Sequence, residues 1–185
     1  MPQKLSLDEL NRLDVTSYKS VEKFPYVFVL DDIRSMNNIG SAFRTADAFR
    51  CAHVYLVGIT AQPPHREISK TALGADESVD WTYFDSAEAC FAHLKSLSYE
   101  VYCIEQVDQS IALQDFVPQT DKRYAFVFGN EVFGVNDYWI EYAKGSLEIP
   151  QFGTKHSLNV SVTMGVVAWD YVSKSQLLPF PILNF

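Results

Sequence analysis

The run Tyr26-Val-Phe-Val-Leu30 constrains the fold most. A strand with one wet face alternates apolar and polar side chains, whereas this one offers water little on either side. Such a strand belongs inside a mainly parallel sheet with helices on both faces. The chain that follows keeps alternating: a polar loop over 31–38, a helix over 39–49, a strand over 53–58, a short helix near 67–73 and a strand over 79–84. Then come a helix over 87–97 capped by Asp85 with Glu88, strands over 101–105 and 124–128, a helix over 137–143 and a strand over 147–149. A helical turn is expected at 111–116. This order predicts an α/β domain with a mostly parallel sheet flanked by helices.

The late stretch from Leu147 to Val162 reads as a strand, a loop stiffened by Pro150 and bent at Gly153, then a helix over 158–172. Ser157 stands where an N-cap is expected, its hydroxyl able to accept from an orphan N–H of the first turn. Leu158, Val162, Val166 and Trp169 make one apolar stripe of that helix, and Val160, Met164, Val167 and Tyr171 make another. A helix apolar on two sides is covered twice, here by its own sheet and by a partner chain.

With 185 residues and 48% hydrophobic composition the chain can bury a real core as a single domain. Its expected layout is a short N-terminal helix within 5–20, opened by the capping box Ser6-Leu-Asp-Glu9, a core over 25–173 and an apolar tail over 174–185 that packs on the body or on a partner. No apolar run reaches a membrane-spanning length, and Met-Pro-Gln-Lys-Leu lacks a signal-peptide core. Cys51, Cys90 and Cys103 form no CxxC pair, which points to free thiols in a reducing, cytoplasmic setting. Four scattered histidines show no metal-ligand spacing, so no metal is expected. The net charge of −8 is the wrong sign for a typical nucleic-acid binder, so any RNA contact needs a local basic patch. Arg34, Arg44, Arg50, Arg66, Lys70 and Lys155 are the candidates.

Three loops carry the functional signal. The first, Asn37-Asn-Ile-Gly-Ser-Ala-Phe-Arg-Thr45, pairs an asparagine able to cap the helix with Gly40, where something can approach closely. Alone it reads more readily as a capped helix bearing a surface arginine. The second, Phe128-Gly-Asn-Glu-Val-Phe-Gly134, directly follows a strand, and its tight turn leaves Glu131 in a crevice at that strand's carboxyl end, where open α/β sheets bind ligands. Alone it is equally a solvated glycine-rich turn. The third is the loop from Ile149 to Asn159.

Asn-x-Gly-x-x-x-Arg-Thr-Ala, Phe-Gly-x-Glu-x-x-Gly and Ile-Pro-x-x-Gly…Ser-Leu-Asn-Val-Ser-Val, in this order, closely resemble the three motifs of the SpoU/TrmH family of the SPOUT superfamily, over about Tyr26 to Tyr171. The resemblance implies a sheet whose C-terminal part threads a deep trefoil knot, a homodimer, and transfer of a methyl group from S-adenosylmethionine to a ribose 2′-hydroxyl of RNA, tRNA being favoured over rRNA. It assigns the cofactor to Phe128, Gly129, Asn130, Gly134, Ile149, Pro150, Gln151, Ser157 and Leu158. It assigns catalysis to Arg44, Asn38, Glu131, Ser157 and Asn159. Arg44 would orient the ribose and stabilise charge developing on its oxygen, because a guanidinium does not readily act as a base. Asn38 would hold Arg44 or a phosphate, Glu131 would fix an arginine or a loop, Ser157 would cap the last helix, and Asn159 would bond a group of the first or second motif. Gln151 and Arg50 depart from the commonest family pattern. A member that binds cofactor without turnover is the alternative, and base methyltransferases of the superfamily carry different motifs.

Overall fold

The computed structural model describes residues 3–6 and 8–175. Most of the expected apolar tail, 176–185, lies outside the described residues. Seven strands form one sheet: β1 (Phe24–Asp31), β2 (Cys51–Val57), β3 (Trp81–Phe84), β4 (Tyr99–Ile104), β5 (Ile111–Ala112), β6 (Arg123–Phe128) and β7 (Gly145–Glu148). Their spatial order is β3-β2-β1-β6-β4-β7-β5, and every paired neighbour runs parallel. Seven helices flank it: α1 (Val15–Ser20), α2 (Met36–Ala48), α3 (Arg66–Ala72), α4 (Ala75–Ser78), α5 (Ala87–Ser96), α6 (Asp137–Tyr142) and α7 (Val160–Lys174).

The apolar run of β1 is covered twice. Tyr26, Phe28 and Leu30 join one core with α2, α3 and α7, while Val27 and Val29 join a second core with α5 and α6. Alternate residues of a strand point to opposite faces, so a run with no polar member satisfies two cores at once. The first core is aromatic: Tyr171 of α7 packs against Tyr26, Tyr124 and Phe126, with ring centroids 4.7–5.7 Å apart. This packing, rather than the helix propensity of its valines, holds α7 on the sheet.

Several boundaries differ from the sequence reading. The capping box forms, with the Glu9 carboxylate accepting from the Ser6 N–H at 2.7 Å, but it closes a three-residue turn, and the helix proper starts later under the cap of Asp14. Ser86, not Asp85, caps α5. The stretch at 111–116 is a two-residue strand followed by a 3-10 turn.

Gly40 shows what approaches α2. A Cβ at this position would overlap the Thr71 hydroxyl and the Ile68 carbonyl of α3. The two helices therefore cross with backbone against backbone. Because the obstacle is a main-chain carbonyl, it cannot swing aside. Gly40→Ala is expected to lower unfolding free energy by about 1–3 kcal/mol, read as a shifted midpoint in chemical denaturation, whereas Gly153→Ala, with open space around it, leaves the midpoint in place.

Candidate active site

β1 and β6 lie side by side although their sequences are far apart, so the loops leaving their carboxyl ends face each other. β1 leads outward to β2 and β3, β6 to β4 and β7, and a sheet that reverses direction in this way opens a crevice at the reversal. The first two motifs meet there.

The loop after β1 is held by Thr60, whose hydroxyl accepts from the Ile33 N–H and donates to the Leu30 carbonyl, both at 2.9 Å. Ser35 then caps α2, accepting from the Asn38 N–H at 3.3 Å. The expected asparagine cap is thus a serine cap, and Asn38 is free for another task. Its side-chain amide donates to the Glu131 carboxylate at 2.9 Å. The same carboxylate accepts from the N–H groups of Arg34 and Ser35, at 3.0 and 3.1 Å. Burial pushes the Glu131 carboxyl upward in pKa, but the bonds from Arg34, Asn38 and Ser35 outweigh it and hold the group below the ordinary carboxylate range.

The loop after β6 closes on itself. Asn130 and Gly134 exchange backbone hydrogen bonds of 2.9 Å, with Gly134 at φ 74°, where a side chain is strained. Asn130 turns its side chain inward, accepting from the N–H groups of Val132 and Phe133 and donating to the Asp32 carbonyl at 2.7 Å. Glu105, just beyond β4, braces this turn by accepting from the Val135 N–H at 3.0 Å.

The third loop, 152–159, is exposed throughout. The cap expected of Ser157 is made instead by Asn159, whose carbonyl oxygen accepts from the Ser161 N–H at 2.9 Å, so α7 begins at Val160. An asparagine side chain reaches the N–H two residues on, which leaves Ser157 two residues too early to contribute. The Asn159 side-chain amide in turn donates to the Asn38 side-chain oxygen at 3.4 Å. Asn159, Asn38 and Glu131 therefore form one chain of side chains joining all three motifs.

These loops enclose a cleft of about 560 Å³, within the usual size of ligand sites. Phe128, Gly129, Asn130, Gly134, Ile149, Gln151, Ser157 and Leu158 line it, as do Glu131 and Asn159. Pro150 stands between two lining residues without bordering the cleft itself. Glu105, Gln106 and Glu148 line it too and were missed in the sequence. The signal that could have found them is position: each sits at or just past the carboxyl end of a strand. Three carboxylates and no lysine, arginine or histidine line the cleft among the described residues.

Arg44 is elsewhere. Six residues after Asn38, it lies about 120° around α2 and roughly 9 Å along it. It borders a separate groove with Tyr18, Asp47 and Leu73. Among the other basic candidates, Lys70 is paired with Glu67 at 3.9 Å, while Arg34, Arg50, Arg66 and Lys155 are exposed or half-exposed without an ion pair among the described residues.

An all-parallel α/β sheet with a ligand cleft at the carboxyl ends of its central strands defines the class of protein. The chain belongs to the SpoU rRNA Methylase family, whose sequence model matches residues 25–169. It is similar to the 23S rRNA (guanosine-2′-O-)-methyltransferase RlmB of Neisseria meningitidis, 29% identical over 143 residues that make up 77% of this chain and 56% of that one. It is also similar to the tRNA (guanosine(18)-2′-O)-methyltransferase of Thermus thermophilus, 27% identical over 77% of this chain and 71% of that one. The chain thus spans little more than half of the Neisseria relative. Among solved structures, the AdoMet-bound rRNA methyltransferase of Sinorhizobium meliloti superposes with a TM-score of 0.76 at 22% identity, over 87% of this chain and 60% of that one. The A. aeolicus TrmH/SpoU tRNA modifying enzyme does so with 0.76 at 19%, over 88% and 81%. At these identities the likeness shows the fold.

The lowered pKa of Glu131 fixes the sign of an acid effect. The folded state releases this proton more readily than the unfolded chain, so the stabilisation is present above the ordinary carboxylate pKa and is lost as pH falls through the depressed value. Glu131→Gln is expected to flatten this part of the unfolding-midpoint profile below about pH 5. It also lowers the midpoint at neutral pH, because an amide presents an N–H group to donors that need an acceptor.

Proposed function

We propose that this chain is an RNA 2′-O-ribose methyltransferase that uses S-adenosylmethionine. The observation that carries the reading is the Asn159–Asn38–Glu131 chain, which ties the three family motifs together, its two outer members lining one cleft while Asn38 stands behind them. The donor set fits the cofactor: carboxylates of Glu105, Glu131 and Glu148 with no cationic side chain suit a ligand bearing a sulfonium and an ammonium. Phe128, Gly129, Asn130, Gly134, Ile149, Gln151, Ser157 and Leu158 would hold it. When bound, it supplies an electrophilic methyl group.

The chain's own residues then have one main task, to bring the hydroxyl oxygen into line and steady the charge that grows on it. Glu131 spends its carboxylate on two N–H groups and the Asn38 amide, so it serves as a clamp rather than a base. Asn38 and Asn159 fix the cleft wall. Arg44 orients the ribose and stabilises the negative charge that develops as the hydroxyl gives up its proton to solvent. Since Arg44 does not border the cleft of its own chain, we place it in the cleft of a second copy. The exposed stripe Val162, Val166 and Trp169 on α7 supports such a homodimer, since a helix already packed on its sheet has no internal use for it.

The trefoil threading belongs to the same proposal. It is supported by the strand order, in which β6 inserts between β1 and β4, and β7 between β4 and β5. Within this reading tRNA is the RNA class we propose, and relatives are named for both tRNA and rRNA. A cytoplasmic setting is supported by three buried free cysteines, and no described helix is long and apolar enough to cross a membrane.

Labelled S-adenosylmethionine incubated with tRNA and with rRNA should yield an alkali-resistant dinucleotide, the signature of a methylated ribose. Arg44→Ala is expected to lower the rate by about 10²–10³-fold, with cofactor binding by calorimetry retained. Mixing inactive Arg44→Ala with inactive Asn159→Ala protein should restore activity if each cleft draws its arginine from the other copy. Mixtures that stay inactive, under conditions where the copies exchange, count against the shared site. Cofactor binding without transfer to either RNA favours the non-catalytic alternative.

A further inference from the structure

Phe152 and Phe133 are 98% and 84% exposed, the two most exposed large apolar residues among those described, and Val132 follows at 64% among the loop residues beside them. They are not scattered. Phe133 and Val132 line the cleft from the loop after β6, and Phe152 directly follows the lining residue Gln151 on the opposite loop. Each of the two loops that frame the cleft thus carries an aromatic ring in water. Neither ring contributes to the core, and both loops are otherwise anchored: Asn130 holds one, and the Gln106 amide donates to the His156 carbonyl at 3.0 Å to hold the other.

Unpaired cations accompany the rings. Lys155 lies three residues after Phe152, and the stretch from Pro150 to Asn159 contains this lysine, one histidine and no acid. The backbone N–H of Arg34 lies 3.0 Å from the carboxylate of Glu131, two residues from Phe133 in sequence, and the Arg34 side chain is exposed. Neither cation has an ion pair among the described residues. Exposed rings with adjacent free cations are the chemistry of single-stranded nucleic-acid sites, where bases stack and phosphates meet lysine or arginine. A second copy of this chain is the poorer occupant of the rings, because α7 offers a separate apolar face for that contact.

We propose that Phe152 and Phe133 form a stacking platform for unpaired bases of the RNA, with Lys155 and Arg34 on the adjoining phosphates, so that the acceptor nucleotide is presented from a single strand or loop. The proposal rests on the methyltransferase reading for which base is held, but not for the stacking itself. A flanking base laid on Phe152 would fix the strand across the cleft mouth and thereby the position of the ribose.

The test measures binding and transfer separately. Fluorescein-labelled single-stranded RNA of about twelve nucleotides is titrated with the full chain and followed by anisotropy, with a duplex of the same sequence as comparison. Phe152→Ala and Phe133→Ala are each expected to weaken single-strand binding roughly tenfold, Phe152→Trp to retain it, and the duplex to bind more weakly throughout. Sedimentation should show the same assembly for all variants. Unchanged single-strand affinity in both alanine variants overturns the proposal, as does absence of binding by the wild type. Dissociation of an oligomer in either variant overturns it too, since the rings would then belong to a protein interface. Loss of RNA binding in the variants with no methyl transfer by the wild type supports the platform while removing the enzymatic reading. Transfer by the wild type with unchanged KM and affinity in the variants does the opposite.

Discussion

The Glu131 carboxylate accepts from two backbone N–H groups ahead of α2 and from the Asn38 amide, so the loops after β1 and after β6 cannot move independently. These are charge-assisted bonds placed beside the N-terminal end of a helix, where a negative group is favoured. The relative placement of the three motifs follows from this junction. Asn38 offers its oxygen to Asn159, which starts α7, and the direction of α7 sets the exit of the third loop. A carboxylate spent on holding loops is poorly placed to accept a proton. The geometry thereby removes the obvious acid from the candidate bases and leaves the weight of the chemistry on alignment.

The junction depends in turn on strand order. Asn38 and Glu131 are 93 residues apart and meet only because β6 inserts beside β1. Glu105 meets Val135 for the same reason, β4 lying on the other side of β6. Such a site has no local precursor: no single βα unit contains more than one of the three motifs. Non-local parallel pairing is slow to form because loop-closure entropy is spent before any contact is gained. The cleft thus rests on contacts of high closure cost, and it is built on the most buried strands of the sheet, where thermal opening is least frequent.

Sequence legibility followed this division. Strands β1, β4 and β6 announce themselves through apolar runs, and the three motifs lie where runs end, so sheet class and cleft could be read directly. Caps could not. Ser35, Asn37 and Asn38 are all competent N-cap residues, as are Ser157 and Asn159, and local propensity does not choose among neighbours of equal merit. Tertiary bonding decides: Asn38 is drawn off by Glu131, leaving Ser35 to cap α2. Glu105 and Glu148 stand at strand ends, but which strand ends border the cleft depends on which strands are neighbours, and strand order is not a local property. The separation of Arg44 from Asn38, by contrast, was available from helix geometry alone, since six residues place two side chains on different faces.

Charge is divided between the interior of the cleft and its rim. Among the described residues three carboxylates and no cation line the cleft, two exposed rings stand at its edge, and Lys155 and Arg34 are exposed on neighbouring loops. An interior of that sign repels phosphate, so a polyanion is kept at the mouth while a cationic ligand is favoured within. The same acidity would make an affinity built on phosphate contacts alone weak, because a chain of net charge −8 releases few counterions for the repulsion it must overcome. Stacking carries no such penalty, as a base and a phenyl ring attract each other whatever the net charge around them. Aromatic contact at the rim is thus the interaction best suited to let an acidic protein hold an RNA strand, with the few unpaired cations setting its path rather than its strength.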